Sequence, residues 1–320
     1  VRALMVERGY DAIVVRDEAN LRWLTGVKGV FDYTFEFPHA AFITADQCLF
    51  HTDSRYLNSF EENTPASSPW VYDMDEGTIP GWVAGKIAAN KCRVCAVEDD
   101  MQINFYQGIQ RGLEDRSVAC MLPLMHDDIR KMRAIKDAEE IELMRHAQSI
   151  TDAAFQHMLG FIKPGMTEKQ VRNELENFMF ANGADSLAFG SIVASGPNTA
   201  NPHAVPSDRV IEKGDFVLMD YGAGYCDYRS DMTRTVVMGE PTQEQLDLYA
   251  LVRRTHEECV AAIHPGVEGN DIFKLSKKII GDAGYGDYYN HGLGHGVGID
   301  IHELPNFNRS KNTIEVGSVI

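Results

Sequence analysis

Apolar residues recur at near-helical intervals in two long stretches of the chain, and each stretch ends at a Pro-Gly break. In the first, Ile141, Met144, Ala147, Ala154, Phe155 and Met158 trace one face of a helix. Asp137 with Glu140 forms a capping pattern at its start, and Lys163-Pro164-Gly165 stops it. Thr167 with Gln170 then caps a shorter helix over 168–180, closed by Asn182-Gly183. The same grammar returns downstream. Thr242 with Gln245 caps a long helix to about Ile263, His264-Pro265-Gly266 ends it, and a shorter helix over 271–280 ends near Gly284. The two breaks lie 101 residues apart (163 to 264), too long a period for a solenoid. The pattern predicts an internally duplicated α/β domain with a pseudo-two-fold axis and a cleft between its halves.

The first third of the chain alternates differently. Residues 1–8 read as a helix ending at Gly9, 11–15 as a buried strand, and 39–44 and 47–52 as a strand pair around Ala45-Asp46. A helix over 78–89, a strand over 93–97, a helix over 104–113 and a strand over 118–122 follow. Alternating elements with short turns predict a smaller α/β domain over 1–125, with 126–320 as a second domain entered through the charged stretch MHDDIRKMRAIK. The run FDYTFEFP at 31–38 carries four aromatics and reads as packing or as a loop reaching toward a site or a partner subunit.

Two strands between the repeats carry acids. Residues 216–220 are apolar and end in Asp220; residues 228–237 resume β-friendly side chains. A hairpin centred between Tyr225 and Cys226 sets Asp220 directly across from Asp231, with Cβ atoms about 4.5–5.5 Å apart. Two carboxylates so placed repel and lose water, so one keeps a proton or a cation sits between them. Downstream, NHGLGHGVGIDIHE carries His291, His295 and His302 among glycines at every second position. Each glycine would cost a helix about 1 kcal/mol, so the segment reads as extended, presenting His295 to a metal. His203 lies in a loop rich in Pro, Asn and Ser, where surface exposure and substrate contact both remain open.

Composition bounds the reading. The 320 residues are 44% apolar and 24% charged, ordinary for a globular protein. A net charge of −17 argues against a nucleic-acid or anionic-membrane partner. No apolar run approaches the ~20 residues of a membrane span. No signal-peptide pattern opens the chain, which lacks an initiator Met, so residues are expected upstream. Six cysteines form no disulfide framework and read as reduced thiols of a cytoplasmic protein; Cys92 and Cys95 fall on opposite faces of the expected strand.

The segments SGPNTANPHAVPSDRVIEKGDFVLMDYGAGYCDYRSDMTRT and HGLGHGVGIDIHE resemble the pita-bread metallopeptidases over residues 129–320, most closely Xaa-Pro dipeptidases (prolidases) and Xaa-Pro aminopeptidases. LTG at 24–26 and TDSRY at 52–56 resemble the creatinase/prolidase N-terminal domain. The resemblance implies a homodimeric exopeptidase that cleaves short proline-containing peptides through a hydroxide bridging two divalent ions. It implies Asp220 on one metal, Asp231 bridging both and His295 on the other. His203 and His302 would act around the scissile carbonyl, and His291 would stand just behind the site. An oxygen-rich set with one imidazole suits Mn²⁺ or Co²⁺. The family's two glutamates, a ligand and the general base, are expected beyond Ile320; Glu315 does not match them. A creatinase-type hydrolase or lyase, or a pita-bread binding protein without catalysis, are the alternatives on this fold; a methionine aminopeptidase fits the large N-terminal domain less well.

Overall fold

In the computed structural model, which describes residues 1–27, 38–74 and 77–320, the chain divides into two units, Val1–Arg133 and Ala134–Ile320, each with its own core. The first contains α1 (Arg2–Arg8), β1 (Ala12–Val15), α2 (Glu18–Thr25), β2 (Ala40–Thr44), β3 (Cys48–His51), α3 (Leu57–Asn63), β4 (Trp70–Asp73), α4 (Ile79–Ala89), β5 (Cys95–Val97), α5 (Ile103–Asp115) and α6 (Asp128–Arg133). Its strands form one mixed sheet in the order β4-β3-β2-β1-β5. β1 is buried at every position because alternate side chains feed two different cores. Ile13 and Val15 pack with Leu21, Phe50, Phe60 and Ile129; Ala12 and Val14 pack with Trp82, Ile87, Phe105 and Ile109.

Several elements depart from the pattern reading. α2 was not anticipated, because Asn20 and Arg22 are buried within it and interrupt the apolar period. The expected strand over 118–122 joins the sheet through isolated bridges, Val94 to Met121 and Val97 to Leu124, instead of a continuous ladder. The charged stretch after Leu124 includes Met125 and Ile129, both buried in the first unit's core. Most of the aromatic run at 31–38 lies outside the described residues.

The second unit contains α7 (Ala138–Phe161), α8 (Glu168–Ala181), β6 (Ser186–Leu187), β7 (Ile192–Ser195), β8 (Phe216–Tyr221), β9 (Ala223–Tyr225), β10 (Tyr228–Arg229), β11 (Met232–Val237), α9 (Gln243–Ala262), α10 (Gly269–Asp282), β12 (Gly294–Gly296) and β13 (Glu303–Phe307). The capping boxes at Asp137/Glu140, Thr167/Gln170 and Thr242/Gln245 form as read. The duplication is visible in matching backbone hydrogen bonds. In the first half Gly165 N donates to Ile211 O, Ile211 N to Met166 O and Glu168 N to Arg209 O. In the second, Gly266 N donates to Ile314 O, Ile314 N to Val267 O and Gly269 N to Asn312 O. Gly165 and Gly266 hold positive φ of 98° and 90° at the matching breaks, a region open to glycine. Among the described residues no helix is long and apolar enough to cross a membrane.

A buried acid in the first unit gives its stability a pH dependence. Glu98 accepts hydrogen bonds from Arg16 N (2.6 Å), Asp17 N (2.8 Å) and Asn20 Nδ2 (2.8 Å). Burial pushes its carboxyl up to about 7, against the pull of those donors. An acid whose folded pKa is raised adds stability that is complete below its unfolded value, about 4.3, and lost as pH rises through about 7. All three tryptophans lie in this unit, so their fluorescence reports its unfolding. Between pH 5 and 8 the stability so measured should fall by about 1–3 kcal/mol more in the natural protein than in Glu98→Gln; parallel pH profiles would exclude Glu98 as the source.

Candidate functional site

The two acids lie on paired strands, with a register shifted from the expected one. β8 and β11 are antiparallel, with Asp220 opposite Thr233 and Met232 opposite Tyr221. The chain reverses at Cys226-Asp227, with φ of 47° and 72°, one residue beyond the expected centre. Two successive positive φ values are what a tight two-residue hairpin turn requires, and Asp tolerates them better than most side chains. The glycines serve a different purpose. A Cβ on Gly222 would lie 1.8 Å from Ser230 O, so this glycine admits close backbone packing, and one on Gly224 would lie 2.3 Å from Ser186 Oγ, so that glycine leaves room for the hydroxyl. Moving the turn by one residue moves the pairing by two, which preserves the face. Asp231 is therefore the diagonal neighbour of Asp220, on the same face, and Thr233 Oγ1 donates to Asp220 Oδ1 at 2.8 Å.

Both acids are affected by the arrangement. Burial raises Asp220, while the Thr233 hydroxyl and the His203 and His295 imidazoles pull it down. Burial and the neighbouring Asp220 charge push Asp231 up to about 6, and His295 opposes them. Asp231 Oδ2 lies 3.6 Å from His295 Nε2.

His295 is delivered by β12, extended as the glycine spacing predicts. A Cβ on Gly296 would meet Leu304 O at 2.2 Å, and one on Gly298 would meet the Glu303 carboxylate at 2.5 Å. A bulge follows His295 where β12 pairs with β13, a device that re-aims a side chain. His295 Nδ1 lies 3.1 Å from Gly296 O; donation there leaves the Nε2 lone pair toward Asp231. The His302 ring stands edge-on to His295, with centroids 4.3 Å apart. Desolvation, then the His295 and His203 imidazoles, hold His302 below the usual histidine range. His203 is exposed on its loop, close enough to bear on both Asp220 and His302. His291 turns elsewhere: its ring meets Tyr289 at 4.8 Å and its Nδ1 lies 2.7 Å from Gly292 O.

Asp220, Asp231 and His295 line a cleft of about 730 Å³ together with Met144, Arg229, Thr233, Leu293 and Val297. The donor chemistry fits a divalent cation: two desolvated carboxylates that repel and one imidazole lone pair. The spacing does not close a cage, since among the described residues no three such side chains are gathered tightly enough to hold an ion.

The pattern of metallopeptidase family M24 matches residues 142–320, more than half of the chain. The chain belongs to metallopeptidase family M24. Residues 1–135 match the creatinase/prolidase N-terminal domain. An uncharacterized Bacillus subtilis peptidase, YqhT, is 35% identical over 324 residues, covering 100% of this chain and 87% of its own length. The solved structure of an Xaa-Pro dipeptidase from Bacillus anthracis superposes with a TM-score of 0.88 at 33% identity, covering 98% of this chain and 84% of that one. An X-Pro aminopeptidase from Thermotoga maritima gives 0.83 at 29%, covering 97% and 86%.

Three charged side chains brace this cleft, and the motif reading gave none of them a role, although Arg229 and Glu303 lie within the quoted segments. Arg229 donates from its backbone to Gly298 O (2.9 Å), from Nε to Ile299 O (2.7 Å) and from its guanidinium to Ala188 O. Lys136 Nζ donates to Glu303 Oε2 at 2.8 Å with both side chains buried, and Glu303 Oε1 accepts from Asp300 N at 3.0 Å. Glu303 follows His302 directly, so this pair fixes the segment that carries it. Losing one partner of a buried pair leaves the other charge uncompensated, at a cost of about 3–5 kcal/mol. Lys136→Met should lower stability in urea unfolding by about that amount, whereas a loss near zero would mean that solvent already reaches Glu303.

Proposed function

We propose that this chain is a metal-dependent exopeptidase that hydrolyses the Xaa-Pro bond of dipeptides or short peptides. The observation that carries the reading is the pair Asp220 and Asp231, side by side on one face of a β-ladder and raised by burial, with His295 Nε2 3.6 Å from Asp231. Such a set stabilises a divalent cation and is destabilised without one. The proline specificity is supported by the relatives whose names state it, an Xaa-Pro dipeptidase and an X-Pro aminopeptidase.

In this reading Asp220, Asp231 and His295 would hold two divalent ions, Mn²⁺ or Co²⁺, with Asp231 as the ligand common to both. When bound, such a pair polarises a carbonyl and ionises a water near neutral pH. The chain's own contribution is orientation. Thr233 donates to Asp220 Oδ1, and both residues line the cleft. His302, held below the usual range, is the neutral imidazole that donates one hydrogen bond toward the scissile carbonyl. His203 lies near Asp220 and His302 and contacts the substrate from the loop side. His291 supports the segment leading to His295 through Tyr289. A homodimer follows from the family resemblance, and six free cysteines support a cytoplasmic location.

Hydrolysis of Ala-Pro, Ala-Pro-Ala and Ala-Ala by the metal-stripped full-length protein, with and without Mn²⁺, tests the reading. Mn²⁺-dependent cleavage of the proline peptides alone supports it, and the ratio of the two separates dipeptidase from aminopeptidase. A protein that binds two metals and cleaves none of the three belongs to other chemistry on this fold. Asp231→Ala should keep its circular dichroism and fall below about a tenth of the natural turnover; turnover above that removes Asp231 from the shared position. His203→Ala should lower kcat by about tenfold or more with metal affinity unchanged in calorimetry, and loss of metal would move His203 to the ligand set.

A further inference from the structure

Glu168 stands in the first turn of α8 and is fully buried. Its carboxylate turns away from its own helix and divides between the two ends of one loop. Oε1 accepts from Ser195 N (2.7 Å), Ser195 Oγ (2.8 Å) and Asn198 Nδ2 (3.0 Å). Oε2 accepts from Ser207 N (3.0 Å), Ser207 Oγ (2.7 Å) and Asn198 Nδ2 (3.2 Å). Between these anchors runs the loop that carries His203.

The loop has little else to fix it. Among residues 196–207 Ala204 alone is buried, so apolar packing supplies almost nothing. Its remaining order comes from a 3-10 turn at Gly196–Ala200, the bonds from His203 N to Asn201 Oδ1 and from Ala204 N to Asn201 O, each at 3.2 Å, and one backbone bond to α8, Lys169 N to Ser207 O at 3.2 Å. The bonds to Glu168 are of the charge-assisted kind, stronger than those between neutral groups. Arg209 extends the anchor, donating to Ser195 Oγ and Asp215 Oδ2, each at 2.6 Å. Burial alone would raise Glu168, yet the Ser207, Ser195 and Asn198 donors outweigh it and hold the carboxyl below its ordinary range. The anchor therefore works as an anion through the neutral range. An acid in a helix's first turn ordinarily serves the helix dipole; here every side-chain bond crosses to residues 27 to 39 positions downstream.

We infer that Glu168 is the positioning residue for His203: its buried carboxylate staples both ends of the 195–207 loop and holds that histidine toward Asp220 and His302. The catalytic consequence rests on the reading of His203 as the substrate-facing histidine. The stapling itself does not, and the two are measured separately.

Glu168→Gln keeps the side chain's size but puts an amide donor against hydroxyls and amides that need an acceptor. Amide hydrogen exchange over 196–207 should quicken by about tenfold or more, with β8 and β11 as protected as before. Metal affinity should be unchanged in calorimetry. On the Mn²⁺-loaded full-length protein kcat should fall by about ten- to a hundredfold, the scale of a misplaced group, with a smaller change in KM. In a His203→Ala background the same substitution should add almost nothing, because both changes remove one function. Asn198→Ala, which removes one of the loop's donors and leaves Glu168 in place, should show the same pattern at smaller amplitude and carries the test if Glu168→Gln does not fold. Unchanged exchange over 196–207 in the folded variants overturns the staple. Losses that multiply in the double variant overturn the link to His203. If His203→Ala itself costs no turnover, the role given to His203 above falls, and the exchange result still decides whether Glu168 holds the loop.

Discussion

Two carboxylates withdrawn from water on one face of a β-ladder set the terms for the rest of the second unit. Asp220 and Asp231 each lose hydration, and each raises the cost of ionising the other; at Asp231 the result is a pKa of about 6. A fold tolerates this only where the acids cannot drift apart into solvent. The β8–β11 pairing supplies that restraint, and it needs strands that approach closely. Gly222 sits at the end of that pairing, where any side chain would strike Ser230 O. The turn at Cys226-Asp227 then fixes the register, opposing Asp220 to Thr233 and leaving Asp231 as its diagonal neighbour on the same face.

Around that rigid pair, buried charges hold the segments that carry His302 and His203, the second of which has little apolar anchorage of its own. Lys136 and Glu303 form a buried pair next to His302. Arg229 ties its own strand to Gly298 and Ile299, close to the same histidine. Glu168 brackets the loop of His203. A buried ion pair is a poor way to gain stability, since desolvation offsets most of the attraction. It is a good way to define a geometry, because the partners are directional and alternatives leave a charge unpaired. The hydrophobic core of this unit, built from Met158, Val171, Leu175, Val217, Met219 and Tyr221, sets the scaffold, and these charges set the loops.

The first unit follows a simpler rule. Its sheet is covered on both sides, so its central strand reads as an uninterrupted apolar run and its register is fixed by two cores at once. Where polar groups enter, as at Asn20, Arg22 and Glu98, each finds a partner: Asn20 donates to Glu98, Arg22 to Glu18, and Glu98 also accepts from Arg16 N.

What the sequence determined by itself was whatever depends on neighbours along the chain. Caps at Asp137, Thr167 and Thr242, the Pro-Gly breaks, the duplication and the extended glycine segment were all readable, because helix period, capping and turn chemistry act over a few residues. Asp220, Asp231 and His295 were readable as candidates on one shared face, since a strand's period of two survives an error of two in register. Only the tertiary structure decided that register, which hung on whether Tyr225-Cys226 or Cys226-Asp227 made the turn. It also sent His291 toward Tyr289 and gave Glu168 a partner loop nearly thirty residues away. The cause is the same in each instance. A titratable side chain's job is set by what is packed against it, and for these residues that neighbour is distant in sequence and leaves no periodic trace.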